Sequence, residues 1–214
     1  MTTTASRPTG ALLLTALIAM IASAVVVVPS GLTLNPADPA ATLAAVHDKP
    51  GLHLLELALD VLGWLALTTA GLLLAVEPGP AGVAGRVAAG LLAAAGLAGL
   101  LHDAGNLAVT QLAADPANAP TAAGMLLTAK WTVNLAGLLW VAGTAVMSRA
   151  VMRRAGAVAA VSGLVAVILP WTTGTAGPSP ALEQAGYLLH VPVMLWWAAF
   201  GTAGRSPSRS AVTS

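Results

Sequence analysis

Six apolar stretches, each long enough to cross a bilayer as a helix, alternate with short polar segments along the chain. A spanning helix needs about 20 predominantly apolar residues. We therefore predict an all-α, polytopic membrane protein with one six-helix domain over residues 1–204 and a mobile cytoplasmic tail over 205–214. The predicted helices cover about 11–28, 52–76, 83–113, 121–147, 155–171 and 181–203.

The polar segments carry residues that end helices. Glu77-Pro-Gly-Pro follows the second stretch, and Asp115-Pro-Ala-Asn-Ala-Pro follows the third. Proline ends a helix because it lacks a backbone N–H and clashes with the preceding turn. Residues 29–51 are rich in Pro, Asp and Asn, and their middle is compatible with the start of a short amphipathic helix.

The first stretch, 11–28, has Arg7 ahead of it, an arrangement that a signal peptide also shows. We favour a retained helix, because removal would leave an odd number of spans. Thr15 and Ser23 are its only polar residues. We therefore expect this helix at the periphery of the bundle.

Composition agrees with a membrane protein. The chain is 57% hydrophobic and 8% charged, with a mean hydropathy of +0.84, whereas soluble domains carry about 25% charged residues. The net charge of +1 gives no reason to expect nucleic acid as a partner. The absence of cysteine excludes disulfides, thiolate metal sites and thiol redox chemistry within this sequence.

The arginines predict the orientation. With six spans, all seven fall on one side of the membrane, and the loops on the other side carry three aspartates and one lysine. Cytoplasmic loops collect Arg and Lys, so we predict a plasma-membrane protein with both termini cytoplasmic. The arginines are Arg7, Arg86, Arg149, Arg153, Arg154, Arg205 and Arg209, and the opposite loops carry Asp38, Asp48, Lys49 and Asp115.

The second predicted helix carries ionisable residues that do not belong in lipid. His53, Glu56 and Asp60 fall within an arc of roughly 60° at about 100° per residue, and Trp64 lies on the same arc. Charged groups within a membrane face the bundle interior and pair there. This face therefore predicts a polar wall inside the bundle.

The third, fourth and sixth predicted helices add polar residues at similar depth, in the outer half of the bilayer. We therefore predict one pocket, open to the outside and walled by the second, third, fourth and sixth helices. The additional residues are His102, Asp103, Asn106, Lys130, Trp131, Asn134, Glu183, Tyr187, His190 and Trp197. Pro192 is expected to kink the last helix beside His190.

The predicted pocket holds more negative than positive groups. Glu56, Asp60, Asp103 and Glu183 face a single cation, Lys130, for which we predict an ion pair with Asp60 or Asp103. The excess negative charge is relieved by a protonated carboxyl, by protonated histidine or by a bound cation. His53 and Glu183 lie nearest the outer surface, and for them solvation is an equally good interpretation.

These residue types suggest roles. Glu56, Asp60 and Asp103 are candidate acids, His102 and His190 are candidate proton relays, and Lys130 would determine which carboxyl is ionised. Tryptophan faces can stabilise a carbocation. The candidate substrate-binding residues are Trp64, Asn106, Trp131, Asn134, Tyr187 and Trp197.

The segment Ala40-Ala-Thr-Leu-Ala-Ala-Val46, followed by His53-Leu-Leu-Glu56-Leu-Ala-Leu-Asp60, resembles the opening of a bacterial family of six-helix integral membrane proteins with a domain of unknown function. The resemblance covers roughly the first third of the chain and implies a six-helix bundle. In design, but not in sequence motif, the chain is also similar to membrane-embedded terpene cyclases and sterol isomerases, which have buried carboxyls and tryptophans.

The favoured hypothesis is a membrane protein that binds or converts an isoprenoid or other lipid-like molecule by acid–base chemistry, as a cyclase or isomerase would. One alternative is a proton- or cation-coupled transporter or sensor, and another is haem or metal binding through His53, His102 and His190. We predict neither cofactor nor metal, since those histidines lack the usual local spacing. The Ala/Gly-rich third helix is compatible with an oligomer.

Overall fold

The computed structural model describes residues 5–77, 82–177 and 179–203. Within these ranges every regular element is helical, which confirms the all-α prediction. Arg205, Arg209 and the tail predicted to be mobile lie outside the described residues. The helices are α1 (Arg7–Ser30), α2 (Pro39–Asp48), α3 (Pro50–Val76), α4 (Gly82–Leu112), α5 (Ala119–Met147), α6 (Arg153–Ile168) and α7 (Pro180–Thr202).

Five helical segments are long and apolar enough to cross a membrane: α1, α3, α4, α5 with the short turn before it, and α6 with its extension. A multi-pass helical bundle is therefore supported. The last helix, α7, has 23 residues but is not among the five. Glu183, Gln184 and His190 lower its hydropathy.

Local sequence signals explain where several helices begin. Ser6 caps α1 by accepting from the Thr9 N–H, and Ser179 caps α7 by accepting from the Leu182 N–H, both at 3.4 Å. Asp38 caps α2 through the Ala41 N–H at 3.0 Å. A proline follows within the first helical positions in each case, where its fixed φ suits the helix and its missing N–H costs nothing.

The predicted helix over 155–171 is interrupted. The α-helix ends at Ile168 and a 3-10 segment follows over Leu169–Ala176. Pro170 has no N–H to bond to the carbonyl of Ala166, so the α-helical pattern cannot continue there. Gly174, with φ 54° and ψ −124°, then turns the chain toward α7.

The six longer helices form an up-and-down bundle. Each of them packs on its neighbour in the order α1, α3, α4, α5, α6 and α7, with the first and last helices in the chain also in contact, which closes the bundle. The described arginines, all exposed, therefore gather at one end, called here the arginine end. They are Arg7, Arg86, Arg149, Arg153 and Arg154.

Helix α1, which we expected at the periphery, is 33% buried and makes specific polar contacts with α3 and the residue after it. At the arginine end, Ser6 and Thr9 both donate to the Glu77 carboxylate after α3. Further along α1, Ser23 is buried and its hydroxyl donates to Glu56 at 3.2 Å. Polar groups at the start and in the middle of α1 thus contact the end and the first half of α3.

Small residues on α4 allow close packing inside the chain. A Cβ added to Gly96 would lie 2.2 Å from the Thr68 hydroxyl, and one added to Gly99 would lie 2.0 Å from the Trp64 ring. Gly96 and Gly99 therefore let α3 and α4 approach closely. An oligomer through α4 stays a prediction.

The short helix α2 covers the end opposite to the arginine end. Leu43 and Val46 of α2 pack with Val109 of α4 and Leu126 of α5 in a second apolar core. The His47 Nδ1–H donates to the Ala113 carbonyl at 3.1 Å. The segment between α1 and α3 thus packs on the end of the bundle through α2.

Candidate functional site

A cavity of about 820 Å³ lies inside the bundle, in the half away from the arginine end. Helix α1 lines it from Met20 to Pro29, and α7 lines it from Leu182 to Met194. Helices α3, α4, α5 and α6 and the loop residues from Leu32 to Leu34 supply the remaining walls. The predicted walls were the second, third, fourth and sixth spans, so α1, α6 and the loop are additional.

Most of the lining is aliphatic or aromatic, and the polar side chains gather on α3, α4, α5 and α7. The structure brings most of the predicted site residues to this one cavity. The predicted residues that line it are Glu56, Asp60, Trp64, His102, Asn106, Lys130, Trp131, Asn134, Glu183, Tyr187 and His190.

Two aspartates and a histidine form the tightest ionisable cluster among the described residues. One ligand-capable atom each from Asp60, His102 and Asp103 lies within 4.8 Å of the others. Asp103 is 2% exposed and does not line the cavity, but it adjoins two residues that do. Asp103 is rotated by about 100° from His102 around the axis of α4. Its side chain is therefore directed toward α3, where Asp60 lies.

Hydrogen bonds orient the His102 ring. Its Nδ1–H donates to the Ala129 carbonyl of α5 at 2.8 Å. Since a carbonyl only accepts, Nδ1 carries a proton. In the neutral ring Nε2 then keeps its lone pair, and it accepts from the Asn106 amide at 3.0 Å. His102 thus presents a fixed acceptor atom 4.0 Å from an Asp103 oxygen.

Lys130 forms its ion pair with Glu183, not with Asp60 or Asp103 as predicted. The pair joins α5 to α7, and both side chains are almost fully buried, at 8% and 11% exposed. The prediction failed because helical spacing gives only the face of Lys130 and not which neighbouring helix lies opposite. Glu183 is correspondingly not a solvated rim residue.

His53 is likewise not at a solvated rim. Its side chain is 0% exposed and its Nδ1 lies 3.1 Å from Glu56 on the next turn of α3. Glu56 also accepts from Ser23 of α1. The two partners occupy the Glu56 carboxyl, and His53 itself does not line the cavity.

Aromatic rings connect the aspartates to α5 and α7. The Trp64 indole N–H donates to Asp60 at 3.2 Å. Its ring packs edge-on against Trp140, with centroids 5.9 Å apart, and Trp140 lies 6.3 Å from the His190 ring. His190 also packs close to Gly137, where an added Cβ would lie 3.0 Å from the imidazole.

The remaining predicted binding residues have different surroundings. The Asn134 amide donates to the Val167 carbonyl at 3.0 Å and accepts from Trp171 at 2.8 Å, so its groups are already used. Trp131 and Tyr187 line the cavity with 38% and 43% of their surface exposed. Both can contact a molecule entering from the side.

Trp197 lies outside the cavity lining. It is 1% exposed, packs against Trp196 and Phe200 toward the arginine end, and donates to the Thr144 hydroxyl at 2.8 Å. Trp197 shares a helical face with His190, but it lies about two turns further along α7, beyond Met194, the last α7 residue that lines the cavity. The structure therefore places it as a core residue, and not as the substrate contact that we predicted.

Sequence reasoning missed two lining groups, Ser23 with its neighbours on α1, and Trp140 on α5. Ser23 is one of very few polar residues on an apolar helix, which by itself does not indicate a cavity. Trp140 lies three residues after Gly137, and Gly137 shares a face with Lys130 and Asn134. The sequence signal that could have indicated Trp140 is a large aromatic residue one turn after a small residue, Gly137, on a polar helix face.

The histidines do not form the three-membered set considered for haem or metal. His53 bonds to Glu56, His190 packs on Trp140, and only His102 belongs to a cluster of ligand-capable groups among the described residues.

Comparison of the chain with protein-family models, curated proteins and solved structures finds no match. The resemblance of the first third of the chain thus stays a prediction.

Proposed function

We propose that this chain is a six-span membrane protein that binds an isoprenoid or similar lipid-like molecule in the cavity and converts it by acid–base chemistry. In this proposal α7 is the sixth span and both termini are cytoplasmic. The gathering of Arg7, Arg86, Arg149, Arg153 and Arg154 at one end supports this orientation, because positive residues collect on the cytoplasmic side.

The shape and lining of the cavity support a lipid-like ligand. Its volume of about 820 Å³ falls within the usual range for small-molecule sites, about 300–1,000 Å³. Large aliphatic side chains near it, such as Val25 on α1 and Leu188 on α7, are 65% and 74% exposed. In a membrane these surfaces face lipid, so an apolar molecule would reach the cavity without crossing water.

The observation that carries the proposal is the Asp60–Asp103 pair at one side of this apolar cavity. Two neighbouring carboxyls cannot both ionise in a low-dielectric site without compensation. Lys130, which also lines the cavity, is already paired with Glu183. A proton held between the two aspartates relieves the repulsion and is available to an alkene or epoxide of a bound isoprenoid.

The neighbouring groups suit proton-initiated chemistry. Trp64 donates to Asp60 and also presents its ring to the cavity, next to Trp140. Indole faces stabilise a nearby carbocation through their negative electrostatic potential. His102 and His190 line the same cavity, which places two bases where a proton could be returned.

Hydrogen exchange into a ligand tests the proposal even when the product is unidentified. The purified protein is incubated in D₂O with a lipid extract and with linear isoprenoids such as farnesol and squalene, and products are followed by mass spectrometry. Acid–base chemistry at carbon introduces deuterium or changes the retention time of the substrate. We expect Asp60→Asn and Asp103→Asn to abolish either change.

The matched control is Asp115→Asn, which alters an exposed aspartate that caps a turn outside the cavity. It should leave both readouts unchanged. Turnover that survives in the Asp60→Asn and Asp103→Asn variants together would contradict acid–base chemistry at this pair.

A further inference from the structure

The buried acids differ in how their charge is balanced. Glu183 pairs with Lys130, and Glu56 contacts His53 and Ser23. Asp60 receives only the Trp64 indole N–H among the described side chains. No N–H or hydroxyl group of the described residues donates to Asp103, and its carboxyl lies within hydrogen-bonding reach of the Asp60 carboxyl.

The Asp103 carboxyl is the more informative of the two. It is 2% exposed, and both of its oxygens are shielded from solvent. Buried polar groups are almost always bonded, and each exception calls for an explanation such as a proton, an ion or a ligand. Because Asp103 is aimed at Asp60 and His102, the group that satisfies it lies among these three side chains.

His102 is oriented as a metal-binding histidine is. Such a ring donates one N–H to a carbonyl or carboxylate, which fixes the tautomer and leaves the other nitrogen for the metal. The Nδ1–H of His102 donates to the Ala129 carbonyl, so Nε2 has a lone pair, which accepts from the Asn106 amide and lies 4.0 Å from an Asp103 oxygen. Trp64 similarly fixes one oxygen of Asp60.

We propose that Asp60, His102 and Asp103 bind a divalent first-row transition cation, such as Zn²⁺ or Mn²⁺. One imidazole and two carboxylates form a ligand set of intermediate softness, which suits these ions better than Ca²⁺. The two carboxylates balance the charge of the cation. Asp60 and His102 line the cavity, so further ligand positions on the cation face a bound molecule.

The geometry requires a small adjustment. Ligand atoms around a cation with bonds of about 2.1 Å lie about 3–3.4 Å apart, whereas the three atoms here lie within 4.8 Å. Rotation of the two aspartate side chains supplies this convergence of up to about 1.4–1.8 Å. The Asn106 amide must also turn away from Nε2, and its now unpartnered Oδ1 can then approach the cation.

This inference rests on the proposed function in placing chemistry at the same side of the cavity, and it names the ion that would act there. A proton and a cation compete for the same aspartate oxygens, so cation binding releases the shared proton. The shared proton of the proposed function and the bound cation are therefore alternative occupants of the same three side chains. Cation affinity should consequently fall as the pH is lowered.

Binding of the metal alone tests the site independently of turnover. The full-length protein in detergent is titrated with Zn²⁺ and with Mn²⁺ by calorimetry, and its thermal unfolding is followed with and without each ion. We expect one ion per chain and a rise in Tm, since a ligand that binds the folded state stabilises it. Asp103→Asn and His102→Gln should each weaken binding more than about tenfold.

Asp115→Asn is the control for binding to exposed acids, and Asn106→Ala tests the required movement of the amide. Asn106→Ala should retain binding within about tenfold, because the competing donor to Nε2 is removed. Equal affinity of the native protein and the Asp103→Asn, His102→Gln double variant would overturn the site. If the native protein binds the metal but Asp60→Asn and Asp103→Asn leave turnover unchanged, the proposed function is rejected and the metal site stands.

Discussion

The two ends of the bundle are built in different ways. At the arginine end, α1 and α7 touch through their backbones, because a Cβ added to Gly10 would lie 2.1 Å from the Gly201 carbonyl oxygen. In the other half, the same helices line a cavity. Among the described residues, the last turns of α1, from Ala24 onward, and α7 before Val193 contain no fully buried residue.

The packed end is stabilised by shape. Trp196, Trp197 and Phe200 pack on one another with centroid distances of 5.2–6.1 Å, and small residues allow helices to approach. In lipid, close packing and interhelical hydrogen bonds replace the hydrophobic effect as the source of helix association. Shape complementarity therefore provides most of the stability at this end.

The cavity half depends on a few polar contacts. Lys130 with Glu183 joins α5 to α7, and Ser23 with Glu56 joins α1 to α3, beside the open space. A small number of strong contacts around a cavity leaves room for a ligand but makes each contact individually important. The closely packed part of the bundle and the cavity are thus separated along the bundle axis.

The largest expected effect comes from breaking the buried ion pair. Lys130→Met leaves Glu183 as a buried, unpaired carboxylate, which should lower the free energy of unfolding by about 3–5 kcal/mol. Unfolding in mixed detergent micelles measures the change. The double variant Lys130→Met, Glu183→Gln should recover most of the loss, and equal loss in both would show that pairing is not the cause.

A smaller effect is expected at the packed end. Gly10→Ala places a methyl group against the Gly201 backbone, which cannot yield as a flexible side chain would. Overpacking of this kind costs about 1–3 kcal/mol. The control is Gly124→Ala on α5, where nothing lies within 4 Å of the added Cβ. If the two variants unfold alike, α1 and α7 do not meet at these glycines.

The Glu77 contact should have a smaller effect again. Its carboxylate accepts from Ser6 and Thr9 at the start of α1, where a negative charge also favours the helix dipole. Glu77→Gln keeps the shape but removes the charge, at a cost of about 1 kcal/mol. Ser6→Ala should cost a similar amount, and additivity of the two changes would show that they act independently.

The sequence predicts most of the fold for a simple reason. In a membrane, hydropathy and helix length are directly coupled, so apolar runs give the spans and Pro, Ser and Asp give their starts. The helical bounds differ from the prediction mainly at 169–176, where Pro170 changes the hydrogen bonding, and at 7–10, where Ser6 caps α1 earlier than expected.

The site is predictable only as a set of residues. Helical periodicity shows that Asp60, His102 and Lys130 face inward, but not which helices are neighbours. The Lys130–Glu183 pair and the contact of Ser23 with Glu56 depend on that arrangement. Trp197 was predicted to line the cavity but lies outside its lining, since a shared helical face does not show how far along the helix a cavity extends.

The presence of a bound lipid-like molecule is the most direct test of the proposed function. Gly186 lines the cavity and has only the Ala166 carbonyl oxygen, at 3.9 Å, near an added Cβ, so Gly186→Phe should place a ring inside the cavity and obstruct it. Gly124→Phe is the matched change on an exposed face of α5. Stability of both variants should stay close to that of the native protein.

Mass spectrometry of the molecules that co-purify with each protein gives the decisive comparison. We expect an apolar amphiphile, near one per chain, on the native protein and on Gly124→Phe, and its loss from Gly186→Phe. The same molecules in the same amounts on all three proteins would contradict the claim that this cavity binds a lipid-like ligand.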